Sequence, residues 1–168
     1  MAAGLERQDP VETRAALDDA RTIDPLLAEA RDVVGAGRPA RPASRRQLAR
    51  YERSLDQVDL AVRSTRVLAR DAARLARAGE PPAGLPGAIR LLEGAVWELA
   101  ASYDDPPRAE LARRGALAAA MRADELDGPA ELVGQVRSTA ADLVRAAELV
   151  ADPDEPLERP TEELLAAG

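Results

Sequence analysis

The residues from Ser44 to Ala78, SRRQLARYERSLDQVDLAVRSTRVLARDAARLARA, contain neither glycine nor proline. Over such a length, an unbroken run of good helix formers leaves one regular structure open. Ser44 and Gln47 have the spacing of a capping box at the start of it. Apolar or small residues then recur at Leu48, Tyr51, Leu55, Val58, Val62, Thr65, Ala69 and Ala72. They lie alternately four and three apart, the period of a seam along a second helix. At 1.5 Å per residue this helix is about 50 Å long. A compact domain needs less, so the expected form is an elongated bundle.

The remaining sequence supplies partners for that helix. Asp9-Pro10-Val11-Glu12 has an Asp cap, Pro in the first position and Glu in the first turn, which predicts a helix start. Ala16, Ala20, Ile23, Leu27, Ala30 and Val34 carry the same four-three phase through Pro25. A kink or tight break is expected near Asp24, with one face buried on both sides, and Gly35-Ala36-Gly37 ends the element. Arg38 to Arg46 reads as a loop. After the long helix, Gly79 to Gly84 forms a turn, and a third helix begins near Pro86 with Ile89, Leu92, Val96, Leu99 and Tyr103 as its seam. Trp97, one step off that seam, should flank the core. Asp104-Asp105-Pro106-Pro107 ends this helix and caps a fourth, from Arg108 to Ala123, anchored by Leu111, Leu117 and Met121. Asp127-Gly128-Pro129 opens a fifth, with Leu132, Val136, Thr139, Leu143 and Ala147 inward. The fold class is all-α: an elongated antiparallel bundle of four to five helices with a long central helix. Residues 1–150 form the bundle domain and 151–168 an acidic tail rich in Pro and Glu, expected to be mobile.

Composition narrows the chemistry. Aromatic residues make up 2% of the chain, with no Phe, against 46% hydrophobic. The core must be built from Ala, Leu and Val. There is no Cys and no His, so thiol chemistry, the usual general base and the commonest metal ligand are missing. No catalytic set of nucleophile and base can be assembled, so an enzyme is not expected. No metal or cofactor site is expected either: a carboxylate-bundle metal site wants Glu-x-x-His, and Gly84 and Gly87 lack the context of a phosphate loop. All 23 basic residues are arginine. Val150 to Gly168 holds six acids against one arginine, net −5 of the chain's −7. The body is therefore close to neutral, which argues against nucleic acid as a partner. No apolar run is long enough to span a bilayer, and Met1 to Pro10 lacks a signal-peptide core.

Three groups of charged residues are candidates for contacts. Arg63, Arg66, Arg70, Arg74 and Arg77 share one face of the long helix. Like charges so spaced cost about 0.2–0.5 kcal/mol per pair when uncompensated. Ion pairing within the bundle or solvation would relieve this, and so would an outside anion. Arg38, Arg41, Arg45 and Arg46 could touch an anionic membrane surface at about 1 kcal/mol each, or be a solvated loop. Arg137 and Asp142, five apart on the last helix, cannot pair with each other. Each is expected to pair across to the long helix, Asp142 with Arg63 or Arg66.

Two stretches carry a resemblance. One is Tyr51, Ser54, Leu55, Asp56, Val58, Asp59, Leu60, Ala61, Val62, Arg63, Thr65, Arg66, Val67, Leu68, Ala69 and Arg70. The other is Gln135, Val136, Arg137, Ser138, Asp142, Leu143, Arg145 and Ala146, and the turn Gly79-Glu80-Pro81 matches too. Together they resemble the cytosolic C-terminal helical domain of bacterial aromatic acid exporters of the fusaric acid resistance (FUSC) family. Ser64 stands where that pattern has an amide or imidazole. The resemblance runs from about Glu12 to Val150. It implies a membrane-associated efflux role for a complete protein, at the cytoplasmic face of the inner membrane, with this part as an accessory or assembly domain. Its partners would be a second copy or the membrane part of its own protein, and Arg63, Arg66, Arg70, Arg137 and Asp142 would carry interhelix or intersubunit contacts. Two other readings are open: a stand-alone soluble interaction module, or a bundle binding a small aromatic carboxylate with the arginine stripe as counter-ion.

Overall fold

The computed structural model describes residues 2, 3, 7, 15, 23–36, 42–79 and 81–151, with side chains along the long helix from Tyr51 onward. Five α-helices account for most of them: α1 (Ile23–Ala36), α2 (Pro42–Ala78), α3 (Leu85–Ser102), α4 (Arg108–Asp124) and α5 (Ala130–Ala151). No strand occurs among the described residues, so the all-α bundle is what forms. The expected helix start at Asp9, Arg38, Arg41 and the acidic tail from Asp152 lie outside the described residues, as do the side chains of Leu48, Arg45 and Arg46.

Four helices alternate in direction. Gly115 of α4 faces Ala95 of α3, while Arg108 reaches Glu98 near the opposite ends of the two helices. Arg137 of α5 pairs with Asp124 of α4. On the other side of α5, Asp142 meets Ser64 of α2, and Gly128 lies against Pro82, just beyond the end of α2. Thus α5 is antiparallel to both α4 and α2. The helix pairs α2–α5, α3–α4 and α4–α5 make the main contacts, and α3 also touches α5. By contrast α2 and α3, though joined by a short turn, hardly pack; they meet at Tyr51 and Ser54 against Tyr103. That turn uses Gly79 (φ 76) and Gly84 (φ 91), a backbone region costly for other residues. Along this register the end of α5 comes level with Leu55, so the first turns of α2 run past it.

Several sequence expectations require correction. The long helix begins at Pro42, not Ser44. Proline is well placed at a helix's first position, where no N–H is needed, so Ser44, Arg45 and Arg46 belong to the helix instead of a capping box and a loop. The helix α1 starts at Ile23, with Pro25 in its first turn; Ala16 and Ala20, on the other side of the break expected near Asp24, lie outside the described residues. The helix α4 has Pro107 at its N-cap with no side-chain cap bond; the Asp104-Asp105 pair does not serve.

The larger correction concerns what fills the seams. In α4 the buried residues are Ala109, Ala112, Ala116, Ala119 and Ala123, while Leu111 is 50% and Met121 70% exposed. In α3 the seam is two interleaved heptads, Leu85, Leu92, Leu99 and Ala88, Ala95, Ser102. Val96 is exposed and Trp97 is 77% exposed, so neither the seam position of the one nor the flanking role of the other holds. In α2 the predicted column Val58, Thr65, Ala72 stays inward, but Ser54, Ala61 and Leu68 lie deeper than Tyr51, Leu55 and Val62. Small residues occupy the centre because they let backbones approach closely. A Cβ added to Gly115 would already sit 3.3 Å from the Ala95 Cβ. The backbone N–H of Ala2, itself buried, donates to Glu93 Oε1 of α3 at 3.5 Å.

Candidate functional site

Polar ties join α1 to α2, α2 to α5, α3 to α4 and α4 to α5, and Arg137 and Asp142 are among them. Arg31 of α1 reaches Asp56 at 3.2 Å and Asp59 at 3.3 Å on α2. Asp59 also accepts from Arg63 at 2.8 Å. The two carboxylates raise the Arg31 pKa, with the Asp56 hydrogen bond as the largest cause. Arg63 is therefore paired within its own helix, not across to Asp142. Arg74 pairs with Asp71 in the same way, and Arg70 and Arg77 are exposed. Four of the five arginines of the stripe are exposed and Arg66 is half-buried; acids one turn away relieve part of the repulsion.

Among the described residues Asp142 is the one buried acid. Its Oδ2 accepts from the Ser64 hydroxyl at 3.5 Å, and its Oδ1 accepts from Arg145 of its own helix at 3.1 Å. Burial raises its pKa against the pull of Arg145 and Ser64. The expected cross-helix partner, Arg63 or Arg66, is replaced by Ser64. The expectation for Arg137 is corrected too: it pairs with Asp124 of α4, not with α2. Asp142 and Arg137 thus bind α5 to helices on opposite sides.

The α4–α5 side holds a second charge cluster. Glu110 takes Arg113 at 2.7 Å and Arg114 at 2.8 Å. These hydrogen bonds bring its pKa from 4.5 down to about 2. Glu148, partly desolvated nearby, moves up. The signs oppose each other. Glu110 contributes stability that is complete above 4.5 and is lost as pH falls toward 2, whereas protonation of Asp142 and Glu148 favours the native state. Replacing Glu110 with Gln should lower the melting temperature at pH 7 by only about 1–2 °C, since the side chain is screened by water. The gap should close between pH 4.5 and 2, as a pH series of thermal melts would show. A gap constant with pH would place the effect elsewhere.

Two surfaces are shaped to receive something. On the outer side of the α3–α4 pair, Leu91, Ala118 and Met121 line a shallow groove with Arg90, Arg122 and Glu125 at its edges. The second is more apolar. Leu26, Ala30 and Val33 of α1 face Tyr51 and Leu55 of α2 and Tyr103 at the end of α3, around an open groove of about 520 Å³. The tyrosine rings lie 5.7 Å apart at 44°, and the Tyr103 hydroxyl shares a 2.7 Å hydrogen bond with Ser54. Burial raises the Tyr103 pKa despite that bond. The charged residue lining this groove is Glu29.

No family model, no curated protein and no solved structure matches the chain. Geometry alone must indicate what the arrangement can do. Among the described residues no cluster of acids could hold a metal ion, and no helix is long and apolar enough to cross a membrane. Sequence reasoning missed the tyrosine groove. Tyr51 and Tyr103 each read as seam residues; the meeting of α2 with the end of α3 brings their rings together, and α1 forms the other side of the groove.

Proposed function

We propose that the chain is an assembly domain working through helix packing and protein contacts, the cytosolic accessory part of an aromatic-acid-exporter-like membrane protein. One observation carries the reading. The two segments that bear the resemblance, Tyr51–Arg70 and Gln135–Ala146, are far apart in sequence yet lie on α2 and α5, which pack together and meet at Ser64 and Asp142. In this reading the N-terminal end of α2 points to the inner membrane. Its positive helix dipole and Arg45 and Arg46, following Arg38 and Arg41, suit anionic headgroups.

The outer α3–α4 groove is then the contact between copies. Met121 lines the groove, Leu111 is exposed earlier on the same helix, and charges of both signs edge the groove, as suits a surface that meets its own twofold copy. Replacing both residues with Asp in the native gene should leave the fold intact and remove the assembled species on a native gel. An unchanged assembly would refute this contact.

A further inference from the structure

We propose that the groove between α1, α2 and the end of α3 is a binding site for small organic cations, such as aromatic or alkylated ammonium ions. This stands apart from the assembly role and rests on different residues. The groove is open to solvent and offers about 520 Å³, within the range of small-molecule sites and enough for a benzyl-sized ion. Leu26, Val33 and Leu55 give it apolar walls. Both tyrosines of the chain stand in it, tilted to each other by 44°. Ring faces carry negative potential and attract a cation placed over them. The Ser54 bond at 2.7 Å fixes the hydroxyl end of Tyr103, so that ring is held in place before any ligand arrives.

The charge at the groove sets the sign of its ligand. Among the described residues that line it, Glu29 carries the charge and none is an arginine. Arg31, two residues further along α1, is occupied by Asp56 and Asp59. Among the described residues no ion pair engages Glu29. A carboxylate ligand would meet like charge here, and Arg63 and Arg74 of α2 are turned to their own acids. At this groove a cation is favoured over an anion.

The test is a titration of the whole chain with benzyltrimethylammonium, read by NMR at the tyrosine ring protons, with benzoate as the matched anion. For an open site and a ligand this small, saturation is expected with a Kd on the order of 1 mM. The exposed Trp97 indole, which is not in the groove, should not shift. Glu29→Gln should weaken binding by roughly three- to tenfold. Tyr51→Leu should weaken it, while Tyr51→Phe, which keeps the ring, should not. Both Glu29→Gln and Tyr51→Phe alter exposed or partly exposed side chains, so an unchanged thermal melt certifies the fold. Benzoate binding as well as the cation, an affinity unaltered in Glu29→Gln, or no saturation by about 50 mM would each overturn the proposal.

Discussion

Replacing Ala116 with Leu is expected to cost about 2–3 kcal/mol of folding stability, although it adds a more hydrophobic residue to a helix already rich in alanine. Ala116 lies at the centre of the buried alanine row of α4. Next to it, Gly115 leaves no room against Ala95. A leucine there must push α3 or α5 outward or take a strained rotamer. Leu111→Ala, on the same helix but half exposed, should change stability by less than about 0.5 kcal/mol. Urea unfolding followed by circular dichroism measures both. If the order were reversed, the hydrophobic anchors of α4 would be the leucines after all and the packing described above would be wrong.

The second large effect belongs to α2. Leu68 is fully buried among small residues, with Ala61, Ala72 and Ala76 along the same helix. Leu68→Ala leaves a cavity in the close-packed core shared with α5. A loss of about 3–4 kcal/mol is expected. Val67→Ala, one residue away and 37% exposed, should lose less than about 1 kcal/mol. An equal loss at the two positions would mean that α2 is rotated about its axis relative to the packing seen here.

These two predictions mark where sequence reading succeeded and where it failed. Helix class, the turns at Gly79–Gly84 and Asp104–Pro107, and the extents of α3, α4 and α5 were legible because glycine, proline and a four-three period act locally. The buried faces were less so. A hydrophobic pattern ranks Leu111, Met121 and Val96 above alanine, yet helices this close exclude long side chains and admit alanine. The heptads Ala88, Ala95, Ser102 and Ala109, Ala116, Ala123 were visible as spacing, but small residues carry little hydrophobic signal. The start of α2 was missed because Pro42 reads as a breaker when its place in the helix is unknown. Among the candidate residues, Arg63, Arg70, Arg74 and Arg77 are exposed on α2. The partners of Asp142 and Arg137 were not legible, because which helix lies beside α5, and at what height, is set by packing and not by spacing along one chain.

The membrane assignment has its most direct test in the native host. Cells are fractionated, and both fractions are blotted with an antibody raised against this chain. The account predicts a band well above 17.8 kDa in the membrane fraction, the mark of a domain carried by a larger membrane protein. A soluble band near 17.8 kDa would contradict it and leave the bundle as an interaction module acting on its own.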